Sequence, residues 1–223
     1  MHRNVDVAMI DEEKLAEKRR KLIGELRWHD IKPAVLVAME KVPRHLFLPE
    51  YLWDQAYADY PLPIGLDQTI SAPHMVAIMC SHLGLKEEMR VLEIGAGSGY
   101  HAAVMAELVG KKGHIYTIER LEALAESAKE NLLRAKVENV TVVVGDGTLG
   151  LPEYAPYDRI CVTASAPDVP PPLLEQLKKG GKMVLPIGRY HQDLYLVEKN
   201  EKIRKTCKGG VRFVLLIGKY GFE

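Results

Sequence analysis

Between Val91 and Tyr100 the chain reads Val-Leu-Glu-Ile-Gly-Ala-Gly-Ser-Gly-Tyr, a short apolar run that passes directly into a glycine-rich loop. Glycine lets a backbone turn sharply and approach a ligand where any side chain would stand in the way. A loop of this kind between a strand and a helix lies at the carboxyl edge of an open α/β sheet, which is where ligands bind. The dinucleotide fingerprint requires glycine at its first, third and sixth positions, so that a pyrophosphate can rest on the helix N-terminus. Here the glycines are Gly95, Gly97 and Gly99, and the sixth position is Tyr100.

The acidic residues around the loop sharpen the chemistry. Glu93 stands two residues before Gly95. A carboxylate there repels a pyrophosphate but suits the ammonium and sulfonium of S-adenosylmethionine. The loop residues Gly95, Ala96, Gly97, Ser98 and Gly99, with Glu93, are therefore read as cofactor-binding. Glu119 follows Gly99 at about the interval where a second-strand acid meets ribose hydroxyls; its competing role is to cap the helix that begins at Leu121. Asp146, between Gly145 and Gly147, either accepts from an adenine amino group or is a turn aspartate. Ser71 stands before Ala72 and Pro73, a setting that suits a helix start as well as a catalytic hydroxyl. His74 is open to two readings as well, one in the cofactor pocket and one as a structural group.

The elements that must position these residues can be read from the apolar spacing. Residues 11–28 have helical periodicity in Leu15, Leu22, Ile23 and Leu26, with their charges on a solvated face. Asp30 is expected to cap a second helix carrying Val35, Leu36 and Met39. Residues 42–67, rich in proline and aromatics, read as an ordered, irregular connector. Strands are then expected at 90–94, 114–118, 140–144, 157–163 and 182–185, and helices at 100–109, 121–135 and 171–178. Such alternation means βαβ units and a parallel sheet covered on both faces. Two final strands, around Leu194–Val197 and over 203–217, follow without a helix between them and imply an antiparallel end.

Composition narrows the classes. The 223 residues fit one domain, divided into an N-terminal helical and lid segment (1–80), a cofactor-binding core (81–190) and C-terminal strands (191–223). Thirty basic residues balance thirty acidic ones, which leaves no bulk field for nucleic acid or an anionic membrane. The three cysteines are widely spaced, which argues against a disulfide framework or zinc knuckle and for a reducing cytoplasm. The histidines include no helix-borne metal pair, so no metal is expected. No apolar run reaches the ~18 residues that span a bilayer, and the acidic amino terminus, with Asp6 and Asp11, is unlike a signal peptide. A monomer in the cytoplasm is the expectation.

Two further segments carry a resemblance. Residues 62–75 read Leu-Pro-Ile-Gly-Leu-Asp-Gln-Thr-Ile-Ser-Ala-Pro-His-Met, and residues 156–188 contain Pro-Tyr-Asp-Arg-Ile, Ala-Ser-Ala-Pro, Leu-Lys-Lys-Gly-Gly-Lys and Leu-Pro-Ile-Gly. With the glycine loop, these resemble the protein-L-isoaspartate O-methyltransferase family of class I S-adenosylmethionine-dependent methyltransferases, over residues 40–220. The resemblance implies a doubly wound Rossmann-like α/β sheet, mostly parallel with an antiparallel C-terminal end, plus an N-terminal helical extension. It implies methyl transfer from S-adenosyl-L-methionine, leaving S-adenosyl-L-homocysteine, to the free α-carboxylate of L-isoaspartyl residues in damaged proteins, and repair through a succinimide. The family's catalytic serine aligns with Ser71, and its cofactor contacts with Thr69, Ile70, Ser71, His74, Gly95, Glu119, Asp146 and Gly147.

On that reading the proline- and aromatic-rich segment before Ser71 and the strand over 211–217 form a lid, and Val211, Arg212, Phe213 and Val214 meet the peptide main chain. The chain departs from the family at Val214, Leu215 and Leu216, where relatives tend to have Val-Pro-Leu. Two rival readings are a class I methyltransferase for small molecules or nucleic acid, from which residues 68–75 divide it, and an NAD-dependent oxidoreductase, which Tyr100 and Glu93 disfavour. A cofactor-binding protein without catalysis is a third. A serine hydrolase is excluded, since Ala96 and Tyr100 flank Ser98 where a nucleophile elbow needs glycines.

Overall fold

The computed structural model describes residues 12–28 and 30–223. The acidic residues Asp6 and Asp11, on which part of the reading of the amino terminus rests, lie outside the described residues. Helix α1 (Glu12–Leu26) turns Leu15, Leu22, Ile23 and Leu26 inward, the face that the sequence spacing marks. Helix α2 (Pro33–Lys41) starts later than expected. Its N-cap is Lys32 and not Asp30, because Pro33 supplies a preset φ at the first helical position, where its missing N–H costs no helical bond.

The connector is less irregular than it reads. It contains 3₁₀ turns at Arg44–Phe47 and Glu50–Gln55. It then enters a hairpin of β1 (Leu62–Gly65) and β2 (Gln68–Ile70), paired antiparallel. Leu66 and Asp67 form the turn with φ of 51° and 56°, the left-handed pair that a two-residue type I′ hairpin loop demands. Helix α3 (Pro73–Leu83) follows.

The main sheet then accumulates in βαβ order. Its elements are β3 (Arg90–Ile94), α4 (Tyr100–Val109), β4 (His114–Glu119), α5 (Glu122–Arg134), β5 (Val140–Val144), β6 (Tyr157–Val162), α6 (Pro171–Gln176), β7 (Leu177–Ile187), β8 (Gln192–Lys199) and β9 (Ile203–Val211). The spatial order is β5-β4-β3-β6-β7-β8-β9. The first five in that order run parallel, while β7–β8 and β8–β9 are antiparallel.

Alternation across the strands divides the core. On β3, Val91 joins the cluster packed under α1 to α4, whereas Leu92 and Ile94 join the one that includes Leu151 and, on α6, Leu173. Cys161 and Val184 share the first face; Ile160, Val162, Met183 and Leu185 share the second. A sheet buried on both faces needs this double set of apolar residues. Strand order reverses between β3 and β6, so the chain opens a crevice at their carboxyl ends.

The last strand corrects the sequence reading. Strand β9 stops at Val211, and residues 212–217 run on outside the ladder, paired through isolated bridges, one of them Ser165 to Leu215. Two bonds to Ser165 fasten it: the Ser165 N–H donates to Val214 O at 2.8 Å, and the Leu216 N–H donates to Ser165 O at 2.8 Å.

Candidate active site

A cavity of about 810 Å³, counting its open mouth, sits in that crevice. The ends of β3, β4 and β6 make one wall, and residues 68–71 with 214–217 face it.

The loop after β3 is fixed by its own backbone. Gly95, Gly97 and Gly99 have φ of 93°, 52° and 86°, a region that favours glycine. At Gly95 space also forbids a side chain, since a Cβ there would stand 2.4 Å from Thr163 Oγ1. The N–H groups of Gly95 and Ala96 donate to Ile118 O at 2.8 and 3.2 Å. Thr163 ties the end of β6 to the same place, its hydroxyl donating to Ile94 O at 2.9 Å and Gly95 O at 2.8 Å. Gly95, Ala96, Gly97 and Ser98 line the cavity, whereas Gly99 caps α4 behind it.

Glu119 lies where the sequence places it, at the end of β4 and on the cavity wall. Its Oε2 accepts the Gly97 N–H at 3.0 Å and its Oε1 the Leu121 N–H at 3.1 Å. Neither bond is a cap of α5, which has no side-chain cap. Each oxygen keeps acceptor capacity for a vicinal diol. Gly147 also lines the cavity. Asp146 is held beside it: Oδ1 accepts from Thr148 N at 2.9 Å and Thr148 Oγ1 at 2.7 Å, and Oδ2 accepts from Lys219 N at 2.8 Å. These bonds hold its carboxyl below the usual range against the opposing effect of burial, the largest single influence on it. Asp146 therefore ties the C-terminal turn to the end of β5.

Glu93 requires correction, because it does not face the cavity. Alternation along β3 turns it to the face of Val91, where it is fully buried. Thr117 Oγ1 donates to Glu93 Oε2 at 2.6 Å, while Oε1 has no hydrogen-bond partner among the described residues. Burial pushes its carboxyl up to about 8. His101 Nδ1 lies 3.7 Å from Oε1, and burial pulls that imidazole down to about 4. The two are consequently a pair of neutral groups near pH 7 and not an ion pair. His101 lines the cavity, with Nε2 3.3 Å from Cys80 Sγ.

On the facing wall, Thr69, Ile70 and Ser71 all reach the cavity. Ser71 is not a helix cap: the N-cap of α3 is Ala72, and the Ser71 hydroxyl has no hydrogen bond to any described residue. His74 does not line the cavity; its ring Nδ1 is 2.9 Å from Asp59 Oδ1. Of the four residues expected to meet the peptide, Val214 alone lines the cavity. Val211 and Arg212 border a separate open depression, and Phe213 packs against the core. The Phe213 main chain is gripped by Gln192, whose Oε1 accepts its N–H at 2.6 Å and whose Nε2 donates to its carbonyl at 3.0 Å.

Sequence reasoning missed Gln68, His101, Arg120 and Thr163 as cavity residues, whereas Leu215, Leu216 and Ile217 belong to the strand expected as part of the lid. Thr163 could have been found, since it directly follows a parallel strand at the ligand-bearing edge. A glycine loop with an acid on the neighbouring strand end, in a crevice at the strand-order reversal, fits a nucleoside whose ribose meets Glu119.

The model of the protein-L-isoaspartate (D-aspartate) O-methyltransferase family matches residues 17–221. The chain belongs to this family. It is 61% identical over 208 residues to protein-L-isoaspartate O-methyltransferase 1 of Archaeoglobus fulgidus, covering 93% of this chain and 96% of the relative. It is 59% identical over 206 residues to the enzyme of Methanothrix thermoacetophila, covering 92% and 98%. A solved structure of a protein-L-isoaspartate O-methyltransferase superposes with a TM-score of 0.85 at 36% identity, over 91% of this chain and 67% of the other. A Plasmodium falciparum chain described as the same type of enzyme, in complex with S-adenosyl-L-homocysteine, superposes with a TM-score of 0.80 at 30% identity, over 89% and 98%. The family is S-adenosylmethionine-dependent, and the glycine loop, Glu119 and Gly147 on one cavity wall fit that group.

Proposed function

We propose that this chain methylates the free α-carboxylate of L-isoaspartyl residues in damaged proteins, using S-adenosyl-L-methionine, and that the ester then closes to a succinimide whose hydrolysis restores part of the normal aspartate. The observation that supports this most directly is the meeting, in one cavity, of the Gly95–Gly97 loop and Glu119 with an uncommitted Ser71 hydroxyl.

When bound, the cofactor supplies a sulfonium-borne methyl group. Glu119 accepts the ribose hydroxyls, and the loop glycines let the backbone lie close to the ligand. The chain needs no general base, since a backbone-type carboxylate has a pKa of about 3.5 and is ionised near neutrality. The task of the protein is placement, and orientation of this kind supplies on the order of 7–11 kcal/mol in favourable cases. Ser71 donates a hydrogen bond to the substrate carboxylate and orients it. The hairpin and residues 214–217 exclude water, which strengthens the attraction between the charges that the reaction brings together. The main chain around Val214 meets the peptide backbone, which leaves flanking side chains unread.

The test offers labelled methyl donor with matched peptides that differ only in isoaspartate or normal aspartate. Label in the isoaspartyl peptide alone is expected; label in both, or in neither despite tight cofactor binding, contradicts the proposal.

A further inference from the structure

Helix α3, whose first turn follows Ser71, starts without a capping side chain of its own. Its N-cap is Ala72, and Pro73 at the next position has no N–H to satisfy. The first donor that needs an acceptor is the His74 N–H. It is met from fifteen residues upstream, where Asp59 Oδ1 accepts it at 2.8 Å. The same oxygen lies 2.9 Å from His74 Nδ1, so one carboxylate holds both the backbone and the ring of the first turn. Behind it stands Arg44, fully buried and within electrostatic reach of Asp59. The Arg44 Nε donates to Ala56 O at 2.9 Å, and its guanidinium carbon lies 5.0 Å from the ring centre of Tyr100, which lines the cavity.

We propose that Asp59 is a positioning residue for the reaction: it caps α3 from outside the helix, which fixes the junction between β2 and α3 and leaves the Ser71 hydroxyl uncommitted and aimed into the cavity. The inference rests on the reading of Ser71 given above. Serine close to a helix start tends to spend its hydroxyl on the helix's free N–H groups. With His74 already served by Asp59, that alternative loses its reward. Without the carboxylate, the first turn has an unmet donor and Ser71 a competing partner. A misplacement of about 1 Å at such a site can cost a hundredfold in rate.

The test is a double-mutant cycle on the full chain. Asp59→Ala, Asp59→Asn and Ser71→Ala are measured singly, and Asp59→Ala also in the Ser71→Ala background, for kcat, peptide KM, S-adenosylhomocysteine affinity and Tm. Asp59→Ala is expected to lower kcat about tenfold with product affinity within about twofold of wild type, since Asp59 does not touch the cavity. Asp59→Asn keeps an oxygen acceptor and is expected to restore kcat to within about threefold. In the Ser71→Ala background the same Asp59→Ala change should cost less than about twofold, because the two residues act as one unit. Equal losses in both backgrounds, or a wild-type kcat in Asp59→Ala, overturn the inference while the Ser71 reading stands. An unchanged kcat in Ser71→Ala overturns the Ser71 reading, and this inference with it. If Asp59→Ala is unfolded at the assay temperature, Asp59→Asn decides: kcat within about threefold of wild type supports the inference, and a tenfold loss overturns it.

Discussion

The two walls of the cavity are fastened by different means. At the strand ends the bonds are mostly main chain to main chain: Gly95 and Ala96 to Ile118, Thr163 to Ile94. On the facing wall the main-chain bonds of Ser165 to Val214 and Leu216 are joined by single side chains that hold the backbone. Gln192 grips Phe213, Asp59 holds His74, Asp146 holds Lys219, and Thr148 accepts from Tyr220. The first wall is an extension of the sheet and shares its cooperativity. The second is a set of separate attachments, so substitutions there should alter substrate handling one contact at a time.

The largest expected effect concerns the buried acid beneath the first wall. The folded-state pKa of Glu93 is raised from 4.5 to about 8 by burial, so the folded chain holds a proton that the unfolded chain releases. The stability this contributes is complete below about pH 4.5 and is lost as pH rises through about 8, on the order of 5 kcal/mol at most. Glu93→Gln removes the slope, and its Tm should gain on wild type steadily between pH 5 and 8. Parallel Tm curves for the two proteins would contradict the assignment of a neutral acid.

Next comes Glu119→Ala, which removes the proposed ribose acceptors from the first wall. Two hydrogen bonds to a charged group are together worth about 3 kcal/mol, so calorimetry should show S-adenosylhomocysteine binding weakened by about a hundredfold. Peptide KM at saturating cofactor should stay within about threefold. Equal losses on both ligands would erase the distinction between the walls.

Much of the first wall was legible in the sequence, and the reasons are local. The bounds of β3, α4 and β5 coincide with the apolar runs and glycines that mark them: β3, buried on both faces, can hardly conceal its pattern, and the half-buried edge strand β5 is an unbroken run of Val and Thr. Glu119 was found by its interval from the loop. Glu93 was misread for a reason the sequence also holds: with Leu92 and Ile94 turned to one face, period-two alternation sends Glu93 to the other. The second wall was less legible. Its hairpin turns on Leu66 and Asp67, which carry none of the usual Asn-Gly signal. Its attachments span 15 residues from Asp59 to His74 and 73 from Asp146 to Lys219. No periodicity reports bonds of that reach. The end of β9 was missed because a side-chain amide of Gln192 takes over where the ladder stops.

Two smaller effects sharpen the picture of the second wall. Gln192→Ala frees both backbone groups of Phe213 and should raise peptide KM about tenfold, about 1.4 kcal/mol, with cofactor affinity unchanged. An equal loss of cofactor affinity would mean that this segment supports both ligands. The smallest is a gain. Leu66 holds a φ of 51° while 55% exposed, so Leu66→Asn relieves strain and removes little burial. It should stabilise by about 1 kcal/mol, or ~2–4 °C in Tm for a chain of this size. A lower Tm would show that the Leu66 side chain is in use.

The most direct test is a crystal structure with S-adenosyl-L-homocysteine and an isoaspartyl peptide bound together. The account predicts the ribose hydroxyls on Glu119, the sulfur facing the Ser71 hydroxyl, and the peptide main chain along residues 213–217. A nucleoside bound away from the Gly95–Gly97 loop, or Ser71 turned from the carboxylate, would contradict it.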